Sequence, residues 1–173
     1  MFGPIRQVAY LTNDIEASMH AWVKQSGVGP FTWYRNFSMP AVHKGQETTV
    51  SLEVGIAYRG NMQIELIQQT NDAPSPYRSF FEKGQMGLHH LAYVTDDIER
   101  DMQRAKQAGF DIITTISAPV GRYAYFQDPA MPENYFEFLE VTPDLNKYWE
   151  HCIEEAGRWD GSNPVRLMDM SGV

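Results

Sequence analysis

Apolar and polar positions change their rhythm several times along this chain, and each change marks an element. "IRQVAYL" (5–11) and "LHHLAYV" (88–94) are short runs mixing apolar, β-branched and aromatic residues, as strands do. After each run the apolar residues switch to helical spacing. Ile15, Met19 and Trp22–Val23 form one apolar face, and Ile98, Met102 and Ala105 form another. Asp14 and Asp97 sit where helix N-caps belong, with side chains able to accept from unpaired backbone N–H groups. Gly27 and Gly109 are placed to end the two helices. Strand-like runs follow each helix: 31–37, 48–60 and 62–68, then 110–116, 122–128 and 134–141.

The two stretches are copies of one another. "QVAYLTNDIEASMHAW" (7–22) set on "HLAYVTDDIERDMQRA" (90–105) needs no gap. Ala9 and Tyr10 fall on Ala92 and Tyr93, Thr12 on Thr95, Asp14 on Asp97, Ile15 and Glu16 on Ile98 and Glu99, and Met19 on Met102. The chain thus reads as a single α+β domain over 1–173. A first βαβββ module spans 4–68, a linker rich in Pro, Asp and Gly spans 69–86, and a second βαβββ module spans 87–142. Residues 143–173 supply a C-terminal amphipathic helix, about 143–159, and a tail. That helix offers Tyr148, Trp149, Cys152 and Ile153 for docking, on its own body or on a second subunit.

Composition narrows the class. With 43% apolar and 13% aromatic residues the chain is not disordered, and its length is enough to bury a substantial interior. A formal charge of −8 argues against nucleic acid or an anionic membrane as partner, since both are polyanions. No apolar run approaches the roughly 20 residues a membrane helix needs. "MFGPIRQVAY" lacks a basic region followed by an apolar stretch, so no secretory signal is expected. Cys152 stands alone, which excludes an intrachain disulfide and a cysteine-rich zinc site. A cytoplasmic globular protein is expected.

The repeat also organises the candidate chemistry. Gln7 and His90 occupy equivalent positions on the first strands, and "QIELIQ" lies on "YFEFLE", setting Glu65 opposite Glu137. Period-two alternation puts Gln63, Glu65 and Ile67 on one face, and Tyr135, Glu137 and Leu139 on the corresponding face. Each glutamate therefore projects among apolar neighbours. Burying an unpaired carboxylate is costly, and binding a cation is one of the few compensations. By the same alternation His89 points to the opposite face from His90, and Gln68 and Glu140 face outward. Phe31, Trp33, Tyr34 and Phe37 read first as core packing and second as a substrate wall.

On these residues the chain resembles the vicinal oxygen chelate superfamily, which includes glyoxalase I, methylmalonyl-CoA epimerase, fosfomycin-resistance proteins, extradiol dioxygenases and bleomycin-binding proteins. The resemblance covers roughly residues 4–142 and is most specific at Gln7 to Asp14, at His90 to Asp97, and around Glu65 and Glu137. It implies paired βαβββ modules forming a curved mixed sheet around one site. It also implies a divalent metal ion, one of Zn, Mn, Co, Ni or Fe, held by Gln7, Glu65, His90 and Glu137. This Gln/Glu/His/Glu set looks like that of eukaryotic glyoxalase I, whereas the epimerases more typically show His/Gln/His/Glu. The glutathione-binding arginines of glyoxalase I would fall on Leu11 and Met86, which leaves Arg6, Arg35, Arg78 or Arg122 to bind an anion.

The resemblance implies a metal-dependent isomerase or epimerase, or a related lyase, working through an enolate on a largely apolar carbonyl compound or acyl thioester. Glu137 is the expected base, with Glu65 opposite it. Trp33, Gln63, Arg122 and Tyr135 are the expected substrate contacts. The alternatives are a small-molecule sequestering protein of the same fold, metal-free or metal-assisted, and a glyoxalase I-like lactoylglutathione lyase. A homodimer is expected, because sheets of this family often pair between chains.

Overall fold

The computed structural model describes residues 2–118 and 121–171. The first half runs β1 (Ile5–Leu11), α1 (Ile15–Ser26), β2 (Phe31–His43), β3 (Gln46–Arg59) and β4 (Met62–Gln69), followed by a short helix α2 (Arg78–Glu82). The second runs β5 (Gly87–Thr95), α3 (Ile98–Gln107), β6 (Asp111–Ala118), β7 (Gly121–Asp128) and β8 (Met131–Glu140). α4 (Pro143–Arg158) and β9 (Val165–Asp169) follow. Two elements go beyond the sequence reading. The linker contains α2, and the tail contains β9.

Both aspartates cap their helices. Asp14 accepts from the N–H of Ala17 and Asp97 from that of Arg100, each at 3.0 Å. The last strand of each module secures the same helix start. Gln68 Oε1 accepts from the Ile15 N–H at 2.9 Å, and Glu140 Oε1 from the Ile98 N–H at 3.2 Å. With Gln68 and Glu140 committed to helix starts on the outer face, alternation turns Glu65 and Glu137 inward. Gly27 closes α1 in the left-handed region, at φ 62°, while α3 ends one residue early, at Ala108, with Gly109 at φ 90° behind it.

The strands are ordered β3-β4-β1-β5-β8-β7-β6-β2, and a long antiparallel pairing of β2 with β3 closes them into a barrel-like ring. β1 runs parallel to β4, β5 runs parallel to β8, and β1 meets β5 antiparallel, so the two modules join along their first strands. β2 extends past the predicted residue 37 to His43. Its outer edge is shared, with β6 paired to Ala41–His43 and β9 running parallel to Phe31–Arg35. Between Tyr34 and Phe37 the register slips, with Asn36 at φ 58°, a left-handed conformation that asparagine tolerates.

The helices pack outside the ring. Under α1 lie Phe31, Trp33, Ile64 and Leu66 around Ile15 and Met19. Under α3, Phe126 and Phe138 stack at 4.3 Å, and Phe2 meets Phe138 edge-on at 4.9 Å. α4 docks on its own body through Trp149, against Tyr58, Ala92 and Leu139. Among the described residues no helix is long and apolar enough to cross a membrane.

Candidate functional site

Strand register assembles the site. In the β1–β4 pairing Gln7 stands beside Gln63 and Ala9 beside Glu65, and in the β5–β8 pairing Ala92 stands beside Glu137. Ala9 also faces His90 across the seam between modules. Ala9 and Ala92 are fully buried, and their small side chains leave room for the polar groups. The four residues singled out by the repeat are brought together. His90 Nε2 lies 3.2 Å from Gln7 Oε1, 3.2 Å from Glu137 Oε2 and 3.7 Å from Glu65 Oε2.

His89 departs from its predicted orientation. Ala9 pairs with His90, but the next residue, Tyr10, pairs with Leu88, so His89 is an extra residue in β5, a bulge. The bulge turns its ring to the same side as that of His90, and the two Nδ1 atoms are 2.9 Å apart. On its far side His89 Nε2 meets the Pro76 carbonyl at 3.1 Å, and the ring stacks on Tyr135 at 4.9 Å. A carbonyl only accepts, so His89 Nε2 carries the proton. Both imidazoles are held neutral by burial, that of His90 pushed down to about 3 and that of His89 well below its usual value. His89 Nδ1 is therefore bare and accepts from His90 Nδ1–H. That leaves His90 Nε2 as a lone pair aimed into the site.

Every atom that meets this lone pair is also an acceptor. Gln7 spends its N–H on Gln63 Oε1 at 2.6 Å, and Gln63 in turn donates to the Tyr58 hydroxyl at 2.8 Å, which orients the Gln7 oxygen toward His90. An imidazole nitrogen, an amide oxygen and two carboxylates facing one another are held only by a cation or by protons on the carboxylates. In line with the second, burial pushes Glu137 up to about 8, and burial together with the charge of Glu137 raises Glu65 well above the usual carboxylate range. The Tyr125 phenol, bonded to Glu137, opposes the shift.

The donor set fits a divalent cation of intermediate hardness. Ligands about 2.1 Å from such an ion stand roughly 3.0–3.4 Å apart. The contacts of His90 with Gln7 and Glu137 match that spacing. Among the described residues no three His, Cys, Asp or Glu side chains form a ready-made metal group. The contact that must shorten is the one to Glu65, which is also the least packed of the three side chains, 14% exposed against 5% for Glu137 and 0% for His90.

Gln7, Gln63, Glu65 and Glu137 open into a cavity of about 520 Å³ inside the ring. Tyr34 and Phe37 line it, as do Tyr58, Tyr77, Tyr123 and Tyr125. Three of the four expected substrate contacts need revising. Trp33 faces α1 on the outer side of the sheet and donates to Glu53 at 2.9 Å. Arg122 is outside the ring, bonded to Glu140 at 2.8 Å and to Glu99 at 3.2 Å. Tyr135 lies behind the cavity wall, stacked on His89. Only Gln63 lines the cavity, and there it also orients Gln7. The phenols of Tyr58, Tyr77 and Tyr125 were missed, although Tyr58 and Tyr125 lie in alternating strand runs whose inward face period two identifies.

Comparison with known proteins agrees with this architecture. The profile of the Glyoxalase/Bleomycin resistance protein/Dioxygenase superfamily matches residues 6–126. No curated protein matches the chain. Among solved structures it is similar to a hypothetical protein from Bacillus halodurans C-125, with TM-score 0.62 and 17% identity over 80% of this chain and 94% of that one. It is also similar to methylmalonyl-CoA epimerase from Mycobacterium tuberculosis, with TM-score 0.59 and 14% identity over 83% and 91% of the two chains. A Streptomyces coelicolor methylmalonyl-CoA epimerase variant, in complex with 2-nitronate-propionyl-CoA, gives 0.60 and 16% over 83% and 97%. At these identities the likeness is one of fold.

Proposed function

The chain belongs to the glyoxalase/bleomycin resistance/dioxygenase superfamily, and from that premise we propose that it is a divalent-metal-dependent isomerase or epimerase, or a related lyase, acting through an enolate on a largely apolar carbonyl compound. The observation that carries this reading is the convergence of acceptors around His90 Nε2 beside a cavity inside the ring. A cation bound there supplies the electrophile that stabilises enolate charge. His90, Gln7, Glu65 and Glu137 are the side chains that would hold it.

The chain's own groups supply the proton transfer. Glu137 is buried and faces the cavity, placed to take a proton from carbon and return it; burial pushes its carboxyl up in the metal-free protein, and a bound cation would bring it down. Glu65 reaches the same space from the opposite module. Two carboxylates from opposite strands favour exchange on both faces of a carbon, and hence epimerisation. Burial holds the phenols of Tyr77, Tyr123 and Tyr125 well above their usual range, so they stay protonated donors beside the carboxylates. All four proposed ligands come from one chain, so the site does not need the second copy that the sequence reading expects.

The test is solvent-deuterium incorporation into an enolisable carbonyl compound incubated in D₂O with metal-loaded protein, followed by mass spectrometry. Incorporation that Glu137→Gln abolishes supports the reading. Binding without any exchange favours the sequestering protein instead.

A further inference from the structure

The wall of the cavity narrows the substrate class, an inference that rests on the reaction proposed above. Among the described residues no lysine or arginine lines it. The four arginines considered for anion binding are all engaged elsewhere. Arg6 donates to the Asn61 carbonyl at 2.8 Å, Arg35 lies over the Trp33 ring at 4.9 Å, Arg78 pairs with Asp72 and Glu82, and Arg122 pairs with Glu140 and Glu99. Among the described residues the only charged side chains lining it are those of Glu65 and Glu137. A divalent cation and two carboxylates sum to zero. A proton passing from substrate carbon to Glu137 moves one negative charge onto the enolate and keeps that sum. A carboxylate or phosphate carried into the same space by the substrate would be a buried ion without a partner, which is unfavourable.

The mouth points the same way. Leu145, Tyr148 and Trp149 of α4 and Met168 and Met170 in and beside β9 line the cavity. Both elements lie beyond the stretch the superfamily profile matches. β9 is fixed by its pairing with β2 and by the Met170 N–H donating to the Arg35 carbonyl at 2.8 Å. Across the opening the hydroxyls of Tyr34 and Tyr148 meet at 3.1 Å. The enclosure is apolar and aromatic, offers flat faces to stack on, and has adaptable methionines at its edge. Its volume, about 520 Å³, falls in the range that encloses a drug-sized molecule.

We infer that the substrate is an uncharged, flat cyclic ketone or enol taken wholly inside the ring, and not the thioester of an anionic carrier. The experiment is calorimetric titration of the protein as purified with 2-naphthol, 2-naphthoate and methylmalonyl-CoA. The first two are of similar size and differ in charge. The expected result is one 2-naphthol per chain, bound at least tenfold more tightly than either anion, and weakened by Met168→Trp at the exposed mouth. Equal or tighter binding of 2-naphthoate or methylmalonyl-CoA overturns the inference, as does absence of 2-naphthol binding. Deuterium exchange into 2-tetralone, the ketone that 2-naphthol mimics as its enol, is read separately. Tight 2-naphthol binding without exchange leaves the substrate class standing and removes the reaction. Exchange into methylmalonyl-CoA, with no 2-naphthol binding, does the reverse.

Discussion

The Nδ1 atoms of His89 and His90 lie 2.9 Å apart, a contact that consecutive residues of a regular strand do not make, because their side chains point to opposite faces. The bulge in β5 produces it, and its chemical effect is to set the tautomer of His90. The Pro76 carbonyl accepts from His89 Nε2–H at one end of the relay, and the lone pair of His90 Nε2 emerges at the other. His89 is thus a positioning residue for the site. A group that holds the second nitrogen of a ligating imidazole, as His89 holds Nδ1 of His90, is of the kind whose loss weakens metal binding.

His89→Phe keeps the stacking on Tyr135 and removes the acceptor for His90 Nδ1–H. The expected effect is a loss of metal affinity on the order of 10–100-fold, measured by competition with a chromogenic chelator. In ¹⁵N-resolved imidazole spectra the His90 ring of the variant should lose its single tautomer. Unchanged affinity and an unchanged tautomer would show that the relay has no effect on the site.

Glu137→Gln preserves volume and removes the base. Proton exchange should fall by about 10²–10⁴-fold, the usual contribution of a positioned acid–base group, as read by deuterium incorporation. Fluorescence or calorimetric binding of an uncharged ligand should survive.

Stability of the metal-free protein should fall as pH rises from about 6.5 to about 8, above the range in which the unfolded His89 and His90 take up protons that their buried, neutral folded forms do not. Glu137 has its folded pKa raised to about 8, above the ordinary carboxylate value it has when unfolded. Between those values the folded state binds more protons, so its stability is fully present at low pH and is lost as pH climbs through the folded pKa. Chemical denaturation at pH 6.5 and pH 8 checks this. Glu137→Gln should flatten the dependence, and added metal should counter it, because a cation favours the ionised carboxylates.

Much of this arrangement is written in the repeat. The alignment of 7–22 with 90–105 put Gln7 opposite His90, that of "QIELIQ" with "YFEFLE" put Glu65 opposite Glu137, and alternation put both glutamates on the inner face. Those inferences rest on short-range periodicity, which strands obey wherever one face is buried. The errors fall where long-range contacts override the period. His89 was turned by a bulge set in the pairing with β1. Trp33 went outward because α1 covers that side of β2. Arg122 was captured by Glu140 from the neighbouring strand. β9 was not visible because "VRLMD" is short and takes its place from the parallel edge of β2 rather than from any pattern of its own.

The symmetry of the caps makes a control. Asp14→Ala and Asp97→Ala remove equivalent bonds, each at 3.0 Å, and should each cost about 1 kcal/mol. For a chain of this size that lowers the melting temperature by roughly 2–4 °C. Thermal unfolding followed by circular dichroism should show similar shifts in both variants, with metal content unchanged.

The central claim is that four side chains from two modules hold one divalent cation. The most direct measurement is elemental analysis of protein purified without an affinity tag, beside the His90→Ala/Glu137→Ala double variant, with each then equilibrated with Zn²⁺, Mn²⁺, Co²⁺, Ni²⁺ and, anaerobically, Fe²⁺. About one ion per chain in the parent protein, absent from the variant, is the result expected of a one-cation site. No ion in the parent under any of these conditions would contradict it, and the acceptors around His90 would then be held by protons on the two carboxylates.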